Sequence, residues 1–291
     1  MKDRTMDPAP DNIAYLYDGS VEGLFTAVFL TYANKEHPLD ICPGEHYQPR
    51  IGQITRQIET DFSLALRVQN GVSKRAGYNV ADIIKTAALA DDPHTGISIY
   101  RFIRYCMDPQ NAHFFSQNKK GTCRTQQRFT GAGCGPALLK GSAVPAVLDP
   151  VVEPVLKLER FVQNERHHIL EFLRFEELEG GIWCARCNPK ASVVPLIMDW
   201  FADRFNMQPF IIYDENHHIA GVYEGSDWHL IKTDSFTPPE PTANELKMQE
   251  AWKRFYHTLN IEARYHPELR RQFMPKRFWK NITEVRDMAP A

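Results

Sequence analysis

The chain has 291 residues, of which 43% are hydrophobic and 24% charged, and its formal net charge is −2. These proportions are ordinary for a globular protein and leave room for a substantial core, in one large domain or two modest ones. Near-neutrality excludes a generally cationic, histone-like binder, so any nucleic-acid surface must be local.

Residues 1–12 are polar, with Pro8 and Pro10, and read as a disordered tail without the apolar stretch of a secretory signal. Ile13–Tyr17 is a short apolar run ended by Asp18-Gly19, which predicts a buried strand and a turn. Ser20 can cap the helix that follows, with Leu24, Phe25, Val28 and Phe29 on one face. The run Leu24–Leu30 is too short to span a bilayer, so a cytoplasmic protein with no membrane contact is expected. Asp40 to Gln53 holds Pro43, Gly44 and Pro49 and reads as a loop. Asp61 can cap a helix carrying Leu64, Leu66 and Val68; Asn79 can cap a second carrying Ile83, Ile84, Ala87 and Leu89. Gly96–Cys106 continues as a third. Residues 13–112 thus form a strand followed by a helical region.

Residues 113–147 are rich in Gly, Ser and Thr and show no sustained period, which predicts an irregular insertion. Lys119, Lys120, Arg124, Arg128 and Lys140 make it basic, with no acid before Asp149. It is either a functional element or a solvated insertion without a role.

Asp149-Pro150 opens a long helix to about Glu171, striped by Val152, Val155, Leu156, Leu158, Phe161 and Val162. A hairpin follows: Phe172–Leu178, a Glu179-Gly180-Gly181 turn, then Ile182–Cys187. Val193–Phe205 reads as a helix with Pro195 in its first turn. Three strands come next, Phe210–Tyr213, Ile219–Tyr223 and Trp228–Lys232, joined by tight turns. Pro238, Pro239 and Pro241 mark a linker, and a long helix is expected from about Ala243 to Tyr265. Pro275 can start a short terminal helix, and residues 285–291 read as a tail. Helices and strands are largely segregated, which predicts an α+β fold with a mostly antiparallel sheet and covering helices over 148–284.

Motifs for NTPases, dinucleotide binding, zincins and serine hydrolases are missing, as is the cysteine cluster of a radical-SAM enzyme, and no cofactor is expected. Cys184 and Cys187 form a CxxC, with Cys123 and Cys134 as conceivable partners for zinc. On a strand, however, residues three apart point to opposite faces, which disfavours a shared metal. Asp18-Gly19-Ser20 at a strand-to-helix junction is an anion-site candidate through Gly19 and Ser20, because helix N-terminal amides attract phosphate. Asp18 and Glu22 could instead hold a catalytic divalent metal, or simply form a turn and cap. Glu165, His167 and His168 end the long helix; Glu165 and His168, three apart, share a face, so a carboxylate could orient an imidazole, or form an ordinary helix contact. His217 and His218 are expected in an exposed turn. Asp203-Arg204, between Phe201 and Phe205, is either a buried ion pair or an exposed edge.

The terminal run RRQFMPKRFWK, Arg270–Lys280, is the most informative stretch. Between Glu262 and Lys280 six cations (Arg264, Arg270, Arg271, Lys276, Arg277 and Lys280) face Glu262 and Glu268, a local surplus of four positive charges in a chain of net charge −2. Phe273, Phe278 and Trp279 lie among them. Cations interleaved with aromatic faces suit a phosphate backbone and unstacked bases. Phe273 and Phe278 are expected to pack inward, while Trp279 is suited to either base stacking or packing. The other reading is a packed helix with solvated charges.

This run, with Asn281-Ile282-Thr283-Glu284 behind it, resembles the closing signature of a bacterial family described as DNA-metabolism proteins, otherwise a domain of unknown function. Tyr15–Ser20 with Glu22-Gly23-Leu24, Phe172–Gly181 and Phe201–Phe205 agree in order, spanning roughly residues 13–284. The insertion at 113–147 departs from the family's shorter, more helical basic stretch. The resemblance implies a DNA-linked role beside a radical-SAM protein encoded nearby, or a uracil-DNA glycosylase, to which similar domains are fused. It supplies no catalytic residues. The expected function is therefore a nucleic-acid-binding accessory protein in DNA repair or modification. The alternatives are a metal-dependent nuclease or phosphoesterase and a protein-binding adaptor.

Overall fold

A computed structural model describes residues 11–111, 149–233 and 235–288. The expected insertion at 113–147 and residues 1–10 of the expected tail lie outside the described residues. The chain divides into two compact units, Met1–Val162 and Gln163–Ala291. Together they give an α+β fold with a helical N-terminal region.

In the first unit, β1 (Asp11–Tyr17) is the centre of a three-stranded parallel sheet. It is flanked by β2 (Pro38–Pro43) and β3 (Ile54–Gln57). Ala14 and Tyr15 at its middle are fully buried, as expected of a strand with neighbours on both edges and helices nearby. Asp11 and Asn12, read as tail, belong to this strand: Asp11 pairs with Pro38. The Asp40–Gln53 loop is likewise corrected. Its first residues continue β2, where Ile41 is buried in the core, and a 3-10 turn at Gly44–His46 follows.

Helix α1 (Val21–Asn34) begins at Ser20, whose Oγ accepts from the Gly23 amide at 2.9 Å. Helix α2 (Phe62–Ala76) begins at Asp61, whose Oδ1 accepts from the Ser63 and Leu64 amides. Each cap satisfies amides that the helix itself cannot. Helix α3 (Tyr78–Ala87) starts after Gly77, not Asn79. Gly77 ends one helix and starts the next at φ +99°, a conformation suited to glycine. Helix α4 (Thr95–Met107) lies against β2 so closely that a Cβ on Gly96 would sit 2.2 Å from the Ile41 carbonyl oxygen.

Helix α5 (Val152–Phe172) opens where the Val151 amide donates to Asp149 Oδ1. Val155 and Val162 are fully buried, whereas Phe161, expected in the apolar stripe, is 38% exposed. The second unit holds a five-stranded sheet in the order β4-β5-β6-β7-β8. Its strands are β4 (Phe175–Glu177), β5 (Trp183–Cys187), β6 (Phe210–Asp214), β7 (Ile219–Tyr223) and β8 (Trp228–Lys232). Every pairing is antiparallel except β5 with β6, which is parallel. The crossover between those two strands is helix α6 (Val194–Arg204), with proline in its first turn. Met198 of α6 occupies the space where Gly221 of β7 has no side chain; a Cβ there would meet its sulfur at 2.4 Å. Phe175, Phe201, Phe210 and Tyr223 form a chain of ring contacts 5.0–5.6 Å between centroids. Such pairs add about 0.5–1.5 kcal/mol each beyond the area they bury. Asp203 and Arg204 are both exposed, with the Arg204 guanidinium 5.4 Å from the Trp200 ring centroid.

Helix α7 (Ala243–Leu259), capped by Thr242, stops six residues short of the expected end. Pro267 disfavours helix at His266, and the chain turns through Glu262–Arg264 before α8 (Pro267–Phe273) begins. Pro275 then opens a 3-10 segment, Lys276–Asn281. Val285 and Arg286, expected in a tail, are structured: Val285 is fully buried and Arg286 donates to Glu176 at 2.5 Å. No described helix is long and apolar enough to cross a membrane.

Candidate nucleic-acid interface

The basic-aromatic segment sorts its residues onto two sides. Phe278 and Trp279 are buried, at 3% and 4% exposure, while Phe273 is 67% exposed. The expectation that Phe273 packs inward is therefore corrected. It ends α8, before the chain turns at Pro275, where its ring is left to solvent. Phe278 packs against Phe172 and His168 of α5, with centroids 5.6 and 5.7 Å apart. Trp279 donates its indole N–H to the Met274 carbonyl, which settles its role as a packed side chain.

The cations divide in the same way. Arg277 is spent on Glu165: both guanidinium ends reach the carboxylate, Nη1 donating to Oε2 at 2.7 Å and Nη2 to Oε1. Lys280 pairs with Glu215, and Arg271 with Glu268 at 3.0 Å. Arg264, Arg270 and Lys276 have no carboxylate partner among the described side chains. Arg270 is instead held between rings, its guanidinium 5.0 Å from the Trp279 centroid and 5.7 Å from that of Tyr265. Its Nη1 donates to the Tyr256 hydroxyl at 3.4 Å. Lys276 Nζ lies 5.9 Å from the same Trp279 centroid. A cation on a ring keeps its charge, whereas one on a carboxylate is largely neutralised.

Arg264 and Arg270, but not Lys276, border a groove of about 320 Å³ between the end of α7 and α8, lined among others by Tyr256, Asn260, Tyr265 and Phe273. Tyr265 is 54% and Phe273 67% exposed there. Sequence reasoning singled out the cations but missed Tyr256, Asn260 and Tyr265. The signal for them was the break in helix α7, which brings the residues on either side of it to one place.

The other candidates are bound up internally. Asp18 Oδ1 accepts from the Ser20 amide at 2.9 Å and the Ser20 hydroxyl at 2.5 Å; Oδ2 accepts from Thr60. Burial pushes the Asp18 carboxyl up, but these hydrogen bonds outweigh it and hold it below the ordinary carboxylate range. Gly19 supplies the φ of +81° that the turn needs. Ser20 is thus engaged with Asp18 and Gly23, and Glu22 is exposed beside them. Glu165 is buried; desolvation pushes its carboxyl up, and Arg277, the Lys190 amide and His168 together bring it below the ordinary range. His168 Nδ1 stops 3.9 Å from Glu165 Oε1, beyond hydrogen-bond distance. His167, by contrast, reaches Glu171 at 2.9 Å on the exposed face.

His217 corrects another expectation. Its side chain is only 17% exposed and its Nδ1 lies 2.6 Å from Oδ2 of the fully buried Asp214. Asp214 Oδ1 also accepts from the Asn216 and His217 amides, so this carboxylate anchors the β6–β7 turn. His218 is exposed, as expected. Cys184 and Cys187 are both buried on β5. Burial pushes the Cys184 thiol up to about 11 and raises the Cys187 thiol as well, so both are neutral thiols at physiological pH. Cys123 and Cys134 lie outside the described residues.

No curated protein matches the chain. Residues 138–284 match the family described as "Domain of unknown function (DUF4130)", a span that takes in the hairpin, the Phe201–Phe205 stretch and the whole groove but not Tyr15–Leu24. With just over half of its length matched, the chain belongs to this family.

Proposed function

We propose that this chain is a cytoplasmic nucleic-acid-binding protein that serves DNA repair or modification. In this reading it engages DNA through the groove face of its C-terminal segment, accessory to a radical-SAM enzyme or a uracil-DNA glycosylase. The observation that carries the binding is the set of cations without a carboxylate partner among the described side chains, Arg264, Arg270 and Lys276, the first two beside exposed aromatic rings, in a chain of net charge −2. Phosphates take up unpaired guanidinium and ammonium groups, and exposed rings offer stacking platforms. The partner class rests on the resemblance of the terminal run and its companions to DNA-metabolism proteins.

The enzymatic alternative has less support. The carboxylate oxygens of Asp18 and Glu165 are filled by internal donors, which leaves neither poised to take a proton or hold a metal. Among the described residues no three His, Cys, Asp or Glu side chains cluster as a metal site.

The test is a titration of the full chain with single- and double-stranded DNA oligonucleotides at several salt concentrations. Binding should weaken linearly on a log–log plot, with a slope of about −2 to −3 for roughly three phosphate contacts. Affinity that does not respond to salt would contradict the proposal. The partner is tested separately, by co-purification with a radical-SAM protein or a uracil-DNA glycosylase.

A further inference from the structure

The groove has features that phosphate contacts alone do not explain. Tyr265 and Phe273 expose more than half of their surface in a segment that buries Phe278 and Trp279 almost completely. Asn260 adds an amide with both donors and an acceptor, and Tyr256 adds a hydroxyl already touching Arg270. At about 320 Å³ the space is at the small end of ligand sites, roughly 300–1,000 Å³, and matches one nucleotide rather than a longer ligand.

We infer that this groove takes a single unpaired DNA base together with its phosphate. The base stacks on Tyr265 and Phe273, the Asn260 amide faces its edge, and the phosphate meets Arg264 and Arg270. Charge favours this occupant. Arg270 is fixed between the Trp279 and Tyr265 rings and has no carboxylate partner among the described side chains, so an anion is drawn to the same place where flat apolar faces are exposed. An acidic peptide would satisfy the guanidinium groups but leave the exposed rings without a planar partner. Duplex DNA has no free base to offer, so an unpaired or extruded base is the form that fits.

This inference rests on the proposed DNA binding, and the experiment separates the two. The wild-type full chain is titrated with a single-stranded DNA oligonucleotide and with an abasic oligonucleotide of equal length and phosphate number. The base-containing strand should bind roughly tenfold tighter, as expected when one base stacks on an aromatic ring. Phe273→Ala, at an exposed position, should bring the two affinities together without changing the salt dependence. Equal affinity of the wild type for both strands, with salt dependence intact, would overturn the base site and leave the phosphate-binding proposal standing. Failure to bind either strand would remove both. Tighter binding of a polyglutamate peptide than of the base-containing strand, lost in Phe273→Ala, would assign the groove to protein and overturn the inference as well.

Discussion

Glu165 and Arg277, 112 residues apart in sequence, form a two-ended ion pair that fastens the closing segment to α5. The carboxylate is 5% and the guanidinium 23% exposed. Asn188 adds a bond to the Arg277 carbonyl, and Arg174 holds Glu284 beyond it. The groove lined by Arg264, Arg270 and Phe273 therefore adjoins an anchored stretch of chain.

Removing one member of a buried pair strands the other. Glu165→Ala should cost about 3–5 kcal/mol of stability, because Arg277 is left partly buried without a counter-charge. Replacing both, as Glu165→Leu with Arg277→Leu, should recover much of that loss. Urea unfolding of the three proteins measures it; a loss below about 0.5 kcal/mol for Glu165→Ala would mean the pair does not hold the segment.

The same pair sets a pH dependence. The Glu165 carboxyl is held below its ordinary value in the fold, so the unfolded chain binds its proton first as pH falls. Its contribution is complete above the unfolded value of about 4.3 and disappears as pH drops through the lower folded value. The stability difference between wild type and Glu165→Gln should thus be constant from pH 7 to 5 and shrink below about pH 4. A difference that grows on acidification would reverse the assignment.

Two glycines inside helices should respond in opposite directions to alanine. Alanine in a helix normally gains about 1 kcal/mol over glycine. At Gly71 of α2 a new Cβ meets only Met107 Cε at 3.8 Å, so Gly71→Ala should raise stability. At Gly23 of α1 it would lie 2.2 Å from Asp18 Oδ1, with Thr60 and Ser20 oxygens also inside contact distance. Gly23→Ala should lower the unfolding temperature by several degrees, which thermal denaturation can check.

Cys106, Cys184 and Cys187 should resist alkylation at pH 8 in the folded protein. All are buried, and burial lifts Cys106 to about 12 and Cys184 to about 11. Iodoacetamide labelling resolved by mass spectrometry should modify them only on addition of denaturant. Rapid labelling of Cys184 in the native protein would show that β5 opens readily.

Much of this architecture was legible because its signals are local. Ser20 and Asp61 cap helices, Gly180 and Gly181 at positive φ turn the hairpin, and short apolar runs mark β6 and β7. What failed depended on tertiary partners. Asp40–Gln53 looked like a loop because Pro43, Gly44 and Pro49 mask the end of a strand whose pairing is supplied by β1, far away in sequence. The parallel β5–β6 contact needed the α6 crossover to be recognised as such. At the candidate site the charges were visible, but not which of them were already neutralised. Arg277 and Arg270 are equal in sequence; only the fold places Glu165 beside one and aromatic rings around the other. His217 was misplaced for the same reason, since its turn is pinned by a carboxylate buried at the end of β6.

The most direct test of DNA binding by the unpaired cations is a comparison of salt slopes. Wild type, an Arg264→Gln/Arg270→Gln/Lys276→Gln variant and an Arg271→Gln control are titrated with one single-stranded DNA oligonucleotide between about 50 and 200 mM salt, the range over which such contacts weaken. The triple variant should bind more weakly and lose about two units of log–log slope, at about 0.7 per phosphate contact for single strands. The control should stay close to wild type, because Arg271 is already paired with Glu268. Identical affinity and slope for wild type and triple variant, with both folded, would contradict the account.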